Sequence, residues 1–426
     1  MAGKGCRQHK GINMKIVGLI TEYNPFHNGH LYHIQEAKRI TKADYAVVIM
    51  SGNFVQRGAP ALIDKYSRTK MALSCGADIV LELPVCYSTA SAEFFALGAV
   101  SLLDKLGIID CLCFGSECGS VTLLQSVAKL LLKEPSDYRQ LLSRLVKSGK
   151  TFPAARMEAI KATIPSVDDS VLSSPNNILG IEYIKALMRL NSTINPVTIA
   201  RITADYHSKD LTSLSQTTIS SATAIRKAFF ENNCMDYLIH QVPEPVYKIM
   251  EENYQKTYPI FEEDYSLLLN YRLLTETKDS LTKYTDITPD LANRIYDTSF
   301  LNLTFPQLAQ KIKSRQWTLT RINRGLIHLL LNLYSDDFKV YNESGFTQYA
   351  RLLGFRKTAS HLIRLIAKNE RIPVITKVAD AKGKLSEVGL SMFQEDIFAA
   401  HLYNQVVFQK YGTILKDEYT HGVIIL

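Results

Sequence analysis

Apolar and amphipathic segments alternate along the first quarter of the chain. The apolar runs KIVGLI, YAVVIM, DIVLELP and IIDCLCFG are separated by segments of helical length and period. Strands with little internal alternation are typical of a parallel sheet that is covered on both faces. The pattern therefore predicts an α/β fold with a doubly wound, Rossmann-like parallel sheet, in which ligands bind at the carboxyl ends of the strands.

The later pattern is mostly helical. Residues 121–195 indicate helices before a further strand-like piece, PVTIARI, and beyond the proline-containing QVPEPVYKIM only RIPVITKV suggests a strand. A chain of 426 residues is expected to form more than one domain. We predict an N-terminal extension over residues 1–13 that is outside the fold, an α/β domain over residues 14–235, and a mainly α-helical C-terminal domain over residues 236–426.

Composition narrows the class of protein. The chain has 46% hydrophobic and 21% charged residues, and no apolar run approaches the ~20 residues of a membrane helix. Its seven cysteines follow no regular spacing, which favours a reducing, cytoplasmic compartment. Cys111, Cys113 and Cys118 lack a CxxC pair and a clear fourth ligand. We interpret them as small buried residues and predict no metal held by protein ligands.

The formal net charge of +8 is unevenly distributed. Between residues 311 and 370 there are eleven lysines and arginines but only four acids, so nearly all of the excess lies in one part of the C-terminal half. A local excess of this kind suits a phosphate-rich partner.

The stretch TEYNPFHNGH follows the first predicted strand and precedes a predicted helix. His27 and His30 are three residues apart at the helix start, so both imidazoles would lie on one side of it. Backbone N–H groups at a helix N-terminus attract anions, and Gly29 would let an anion approach the backbone closely. For this motif alone, an ordinary Pro/Asn/Gly turn remains the alternative.

ISSATAIR offers a second candidate element for binding phosphate. Ser220 and Ser221 stand at another predicted helix start, and Arg226 lies one to two turns inside it. Serine hydroxyls, backbone amides and a guanidinium suit phosphate oxygens. Taken alone, the serines could be simple N-caps and Arg226 a solvated charge.

Together the two elements resemble the HxGH nucleotidylyltransferase superfamily, and longer stretches narrow the match. The bacterial tRNA(Met) cytidine acetate ligase family is similar in GLITEYNPFHNGHLYHI, SGNFVQRGAPA, DIVLELP, FGSE, SPNNILGIEY and TRINRGLIHLLL. The resemblance begins at Met14 and covers most of the chain. It implies that acetate attacks the α-phosphate of ATP, giving acetyladenylate and pyrophosphate. The N4 amine of the wobble cytidine of elongator tRNA(Met) would then take the acetyl group and release AMP, giving N4-acetylcytidine.

The resemblance also implies the residues of the ATP site. ATP would be the co-substrate, with Mg²⁺ carried by its phosphates, and His27 and His30 would be catalytic there. The implied ATP-binding residues are Ile20, Thr21, Glu22, Tyr23, Asn24, Pro25, Phe26, His27, Asn28, Gly29, His30, Leu31, Tyr32, His33, Gly115, Asn176, Arg201, Ser220, Ser221 and Arg226. ISSATAIR has one residue more than the superfamily pattern. This additional residue decides whether Arg226 can reach the ATP phosphates.

Residues after the second and third strands are further candidates. Asn53, Gln56 and Arg57 could hold the acetyl group or the tRNA, with a solvated loop as the alternative. Lys65 and Arg68 are expected to be surface charges. Glu117 could orient a base or ribose, although a carboxylate near a helix start is also favourable for structural reasons.

The basic region supplies candidate tRNA contacts. These are Arg315, Arg321, Arg324, Arg356 and Lys357, with Arg351 nearby. Trp317, the sole tryptophan, could stack on an unpaired anticodon base or pack in the core.

Two other functions stay open. A small-molecule (coenzyme-precursor) adenylyltransferase would share both phosphate elements, but it would leave the long basic C-terminal part unexplained. An RNA-binding protein with a vestigial nucleotide site would bind tRNA without releasing pyrophosphate, although the intact His27, Gly29 and His30 count against it. We expect no membrane association and predict no protein partner.

Overall fold

The computed structural model describes residues 14–201, 221–232 and 235–426. Its strands are β1 (Ile16–Thr21), β2 (Tyr45–Ser51), β3 (Phe54–Val55), β4 (Ala59–Pro60), β5 (Ile79–Leu83), β6 (Cys111–Ser116), β7 (Asn195–Ala200), β8 (Ala350–Phe355), β9 (Val374–Ile375) and β10 (Ile424–Ile425). The helices of the first half are α1 (Asn28–Thr41), α2 (Lys65–Ser74), α3 (Val85–Ser88), α4 (Ala92–Leu106), α5 (Val121–Lys133), α6 (Ser136–Lys147), α7 (Phe152–Thr163), α8 (Asp169–Ser173), α9 (Pro175–Arg189) and α10 (Ala222–Asn232). Those of the second half are α11 (Glu244–Asn253), α12 (Ser266–Thr275), α13 (Lys278–Leu281), α14 (Pro289–Thr298), α15 (Phe305–Ile312), α16 (Leu319–Leu331), α17 (Ser335–Glu343), α18 (Ser360–Lys368), α19 (Ala381–Lys384) and α20 (Glu387–Tyr411).

The main sheet of the described residues has eight strands in the order β10-β8-β5-β2-β1-β6-β7, with β9 beside β8. Strands β5, β2, β1, β6 and β7 run parallel to one another, which confirms the predicted parallel sheet. Strand β8 pairs antiparallel with β5 and interrupts its register at Val80 and Leu81. The sheet is therefore mixed at one side, where the C-terminal part of the chain joins it.

The strand order reverses at β1. Strands β2 and β5 follow on one side of it, and β6 and β7 on the other. In a doubly wound sheet, the crevice outside the carboxyl ends of the strands at such a reversal is the usual ligand site. The TEYNPFHNGH turn after β1 and the FGSE turn at the end of β6 both lie at this place.

Alternating strand residues contribute to two cores, as the two-residue period of a strand requires. Val47 and Ile49 face the core that includes helices α4, α5 and α9, whereas Val48 and Met50 face the core that includes α1 and α2. A third apolar cluster lies among the C-terminal helices, chiefly α12, α14, α15, α16 and α20. Cys111 and Cys113 are buried in the core beside α1, as expected of small apolar residues.

The C-terminal part is mainly helical, as predicted, but it contributes three strands to the main sheet. Only β9, within RIPVITKV, was expected. Strand β8 has the sequence ARLLGF, and its arginine and glycine interrupt the apolar pattern that indicates a strand. Strand β10 has two residues, which are too few to form such a pattern. The domain boundary near residue 236 stays a prediction.

Buried charges connect the C-terminal end of the chain to the sheet. Lys65 and Glu418 are 1% and 2% exposed. The Lys65 ammonium lies 2.8 Å from both carboxylate oxygens of Glu82 and 3.0 Å from Glu418. Arg68 is fully buried and donates hydrogen bonds to carbonyl oxygens that include those of Glu22 and Ser51. The expectation that Lys65 and Arg68 are surface charges is wrong, because Glu418 covers Lys65 from 353 positions later and carbonyl oxygens earlier in the chain accept the hydrogen bonds of Arg68.

Within the described part of the chain, no helix combines the length and the apolar character that crossing a membrane requires.

Candidate active site

The TEYNPFHNGH turn is closed by two histidines that cap α1. His27 is the N-cap residue, and its Nδ1 accepts a hydrogen bond from the backbone N–H of Gly29 at 3.0 Å. The Nδ1 of His30 accepts one in return from the backbone N–H of His27 at 3.3 Å. This is a capping box in which imidazoles take the places of the usual hydroxyl and carboxylate. The three-residue spacing therefore has a structural basis: it allows each histidine to satisfy the backbone beside the other.

The same hydrogen bonds fix the tautomer of both rings. Because each Nδ1 is an acceptor, the proton of the neutral imidazole belongs on Nε2. Burial lowers the pKa of His27 to about 4, with Arg201 and Arg226 contributing. Burial, followed by His27, His33 and Arg201, holds the pKa of His30 well below its ordinary value. At neutral pH the site thus presents two uncharged Nε2–H donors.

The backbone donors at the start of α1 are already in use. The N–H of Asn28 donates to the carbonyl of Gln241 at 3.0 Å, and that of His30 donates to the carbonyl of His27 at 2.9 Å. Those of His27 and Gly29 belong to the capping box. These N–H groups are therefore not free to bind an anion, contrary to the expectation from the sequence. Side chains must bind the anion instead.

Two arginines place positive charge beside the histidines. Arg226 of α10 donates through Nη1 to the carbonyl of Asn24 at 2.6 Å, so it reaches the turn despite the additional residue in ISSATAIR. Arg201 follows β7 and lies over Gly115, where an added Cβ would be 3.4 Å from its Cγ. The charges of both arginines lower the pKa of His27. The carboxyl ends of β1, β6 and β7 thus gather one cationic site.

Ser221 of the second phosphate element acts as a helix cap. Its Oγ accepts from the N–H of Ala224 at 3.2 Å. Ser220 lies outside the described residues.

His33 continues the row of histidines along α1. Burial lowers its pKa to about 4, and its Nε2 is buried without a hydrogen-bond partner among the described residues.

Other members of the TEYNPFHNGH stretch pack beneath the turn and support it. Tyr23 and Phe26 are fully buried with ring centroids 4.7 Å apart, and Tyr23 meets the edge of His30 at 4.9 Å. Asn24 is also buried and accepts the N–H of Leu62 at 2.8 Å.

The remaining residues of the predicted ATP stretch differ in exposure. Thr21 and Pro25 are buried, Ile20, Glu22 and Leu31 are half-buried, and Tyr32 is exposed.

Glu117 anchors the start of α9. Its carboxylate accepts from the side-chain amide of Asn176 at 2.6 Å and from the backbone N–H of Asn177 at 2.9 Å. A carboxylate at a helix N-terminus satisfies free backbone donors and opposes the helix dipole. The structural interpretation of Glu117 is supported, and the amide of Asn176 is held at the end of β6 by this contact.

The SGNFVQRG loop forms the β3–β4 hairpin beside the histidine turn. Asn53 is buried, and its Oδ1 accepts the backbone N–H of Lys65 at 2.8 Å. The backbone N–H of Gln56 donates to the carboxylate of Glu22 at 2.9 Å. Arg57 is exposed. Of the three candidates in this loop, Asn53 serves the backbone and Arg57 is available to a ligand.

Several candidate tRNA contacts are internal. Arg324 is 8% exposed, and its guanidinium donates to Asp286 at 2.7 Å. Trp317 is also 8% exposed and packs in the third apolar cluster beneath the guanidinium of Arg294. Of the two alternatives for Trp317, packing in the core is therefore the one that the structure supports. Arg351 is 2% exposed within the buried charge cluster, whereas Arg315 is exposed and Arg321 is half-buried.

Arg356 and Lys357 lie at the opposite edge of the sheet from the histidines. The N–H of Arg356 donates to the carbonyl of Asp78, which immediately precedes β5, at 2.9 Å. The histidine turn follows the carboxyl end of β1, which is parallel to β5 and two strands away. These two bases cannot contact a substrate group that is bound at the histidines.

The sequence interpretation missed the residues that brace the site from behind. Glu82 gives the clearest signal, since the lone carboxylate of the apolar strand IVLEL needs a buried cation. The sequence gives no comparable indication that Glu418 or the carbonyl of Gln241 supports the site.

Comparisons with known proteins identify the family of this chain. The HIGH Nucleotidyl Transferase family matches residues 14–418. The tRNA(Met) cytidine acetate ligase of Thermoanaerobacter sp. (strain X514) is 41% identical over 415 residues, which cover 97% of this chain and 100% of that protein. The ligase of the same name from Acetivibrio thermocellus is 40% identical, with 97% and 100% covered. The crystal structure of Thermotoga maritima TmcAL bound with alpha-thio ATP superposes with a TM-score of 0.88 at 30% identity, covering 97% of this chain and 100% of that one. The chain belongs to the tRNA(Met) cytidine acetate ligase family of HIGH nucleotidyl transferases.

Proposed function

We propose that the protein activates acetate with ATP and transfers the acetyl group to N4 of the wobble cytidine of elongator tRNA(Met). The observation that carries this proposal is the pair of neutral histidines beside Arg201 and Arg226 at the reversal of strand order. Full-length relatives at about 40% identity with this activity in their names support it. The reaction would be cytoplasmic.

In the first step, the Nε2–H groups of His27 and His30 would donate to phosphate oxygens of ATP. Arg201 and Arg226 would supply the positive charge that the neutral imidazoles lack. An acetate oxygen attacks the α-phosphorus, the bond from that phosphorus to the bridging oxygen breaks, and its electron pair leaves with pyrophosphate. The step needs no proton transfer from the protein, so positioning and electrostatic stabilisation carry the rate.

Mg²⁺ would enter with the ATP phosphates. The His, Cys, Asp and Glu side chains of the described residues form no group of three or more suited to a metal ion. Phosphate oxygens and water are the ligands that Mg²⁺ commonly keeps at such sites.

In the second step, the cytidine amine attacks the acetyl carbonyl of acetyladenylate. The bond between the carbonyl carbon and the phosphate oxygen breaks, AMP leaves, and the amine loses one proton to the medium. The exposed Arg57, on the hairpin beside the turn, is suitably placed to meet RNA that approaches this edge.

The test is to incubate the purified protein with ATP, magnesium, labelled acetate and bulk bacterial tRNA. The RNA is then digested and analysed by mass spectrometry. We expect label in N4-acetylcytidine that depends on ATP. His30→Ala should abolish it, whereas Gln35→Ala, at an exposed position on the same helix, should not.

Other outcomes would favour the alternatives. Absence of label, with pyrophosphate released when a phosphorylated small molecule is added, would favour a coenzyme adenylyltransferase. Binding of tRNA without pyrophosphate release under any condition would favour a vestigial nucleotide site.

A further inference from the structure

The segment around α18 lies along the amino edge of the sheet, opposite to the histidines. At its start, the N–H of Arg356 donates to the carbonyl of Asp78 ahead of β5. One turn later, the ring of His361 meets the edge of Tyr45, the first residue of β2, at 5.2 Å. The segment therefore passes from the beginning of β5 to the beginning of β2.

Helix α18 is held to the protein by one face only. Leu362 and Ile366 are buried, while Arg364 and Lys368, four residues apart, are exposed on the other side. At its end, the side-chain amide of Asn369 donates to the carbonyl of Leu106 at the C-terminus of α4. The apolar face thus fixes the helix, and the basic face is left to solvent.

Other exposed bases lie at the same edge. We define the basic edge as the six exposed residues Lys15, Lys42, Lys357, Arg364, Lys368 and Arg371. Lys15 precedes β1, and Lys42 lies between α1 and β2. Among the described residues, none of the six forms an ion pair with a carboxylate, and the exposed carboxylates interspersed with them are those of Asp44, Glu370 and the terminal Leu426, whose carbonyl oxygen accepts the N–H of Lys357. Unpaired charges of one sign at one surface favour an anionic partner.

The basic edge and the histidines are separated by the length of the strands. Strand β1 has six residues, and a strand rises about 3.3 Å per residue, so the two edges are roughly 20 Å apart. A nucleotide whose base reaches the histidines cannot place its own phosphate on the basic edge. Any RNA phosphates bound there must come from another part of the molecule.

We propose that the basic edge binds the sugar–phosphate backbone of tRNA outside the anticodon loop. The identity of the RNA rests on the proposed function, whereas the surface itself rests on the exposed charges. Paired RNA stems present regularly spaced phosphates that proteins recognise by shape and charge rather than by sequence. The contact would increase affinity for the whole tRNA while the loop enters the active site at the other edge.

The test variant is Arg364→Gln with Lys368→Gln, which removes two charges and keeps good helix formers. The matched control is Lys129→Gln with Lys133→Gln, which are also exposed and four residues apart, on α5. Binding of tRNA is measured at several salt concentrations. Because each phosphate contact contributes about 0.7 to 0.9 to the slope of log affinity against log salt, we expect the slope to fall by roughly 1.5 in the test variant and to stay unchanged in the control.

Two further measurements locate the contact. Acetate-dependent exchange of pyrophosphate into ATP, measured without RNA, should be equal in the test variant and the wild type. A short single-stranded oligonucleotide with the anticodon-loop sequence should also bind both proteins equally.

A wild-type salt slope in the test variant, or an equal loss of affinity for the oligonucleotide, would overturn the proposal. Binding is measured without catalysis, so failure of the ligase assay is a separate result. Wild-type protein that binds tRNA through this edge but forms no N4-acetylcytidine would contradict the proposed function alone.

Discussion

The rings of His27 and His30 stack with their centroids 3.8 Å apart, and each accepts a backbone hydrogen bond beside the other. Two protonated imidazoles would repel strongly at this distance, so the arrangement requires neutral rings. The first turn of α1 consequently offers two Nε2–H donors in place of free backbone donors. Positive charge for a phosphate then has to come from Arg201 and Arg226.

The protonation of these histidines can be measured directly. Since the pKa of His27 in the folded protein is about 4, below its ordinary value, the unfolded chain binds more protons between pH 4 and pH 6.5. The stability that this histidine contributes is present above pH 6.5 and is lost as pH falls through about 4. NMR titration of the free protein, assigned with a His27→Asn variant, should place the imidazole transition near pH 4. A transition near pH 6.5 would contradict the neutral pair.

Replacing Arg226 should lower kcat/KM for ATP more than replacing Lys227, its neighbour on α10. Arg226→Ala removes the contact with the carbonyl of Asn24 and one charge beside the histidines. A hydrogen bond to a charged group is worth about 1.5 to 3 kcal/mol, so kcat/KM for ATP should fall by about tenfold to a hundredfold. Lys227→Ala is the control, because Lys227 is 71% exposed on its side chain. Equal activity of the two variants would remove Arg226 from the site.

Substitution of Gly58 should destabilise the protein for two reasons, a positive φ and a close neighbour. A comparison with Gly149 tests the two reasons separately. The φ of Gly58 is +73°, and an added Cβ would lie within 2.7 Å of the Arg324 backbone on α16. Gly58→Ala should therefore move the hairpin off α16, lower the melting temperature and reduce tRNA modification. Gly149 also has a positive φ, +91°, but no neighbour within 4 Å. If Gly149→Ala lowers the melting temperature as much, backbone strain alone is responsible and the close approach is unimportant.

Glu418 should hold the end of the chain in the core. Glu418→Ala leaves Lys65 with one carboxylate and leaves the buried Arg351 without an ion-pair partner among the described residues. Removing one partner of a buried ion pair costs about 3 to 5 kcal/mol. The free energy of unfolding, measured with denaturant, should fall by an amount of that order. Glu343→Ala, with a side chain 67% exposed, should change it by less than about 1 kcal/mol. A small effect at both positions would show that the cluster tolerates the loss.

Arg324 and Arg315 should affect different properties. Arg324 is paired with Asp286 inside the protein, so Arg324→Ala should lower the free energy of unfolding. Arg315 is exposed, so Arg315→Ala should instead lower the salt dependence of tRNA binding. The reverse assignment of these two effects would mean that Arg324 turns outward when RNA binds.

Much of the architecture followed from local pattern. Apolar runs of strand length separated by amphipathic segments predicted the parallel strands and the position of His27 and His30 at the carboxyl edge. These features depend on residues near one another in the chain, where periodicity and turn chemistry are informative. The basic region was also visible, because charge can be counted without coordinates.

What the sequence left undetermined depends on contacts between distant residues. Lys65 resembles a surface lysine until Glu418, 353 positions later, covers it. Arg324 resembles an RNA contact until Asp286 is found beside it, and only β8 shows that Arg356 lies at the edge of the sheet opposite to the histidines. The sequence by itself determined the five parallel strands of the first half, which turn carries the histidines and how much charge the chain has. Only the tertiary structure decided which charges are buried and which edge each base occupies, because burial and pairing arise from long-range packing that leaves no local period.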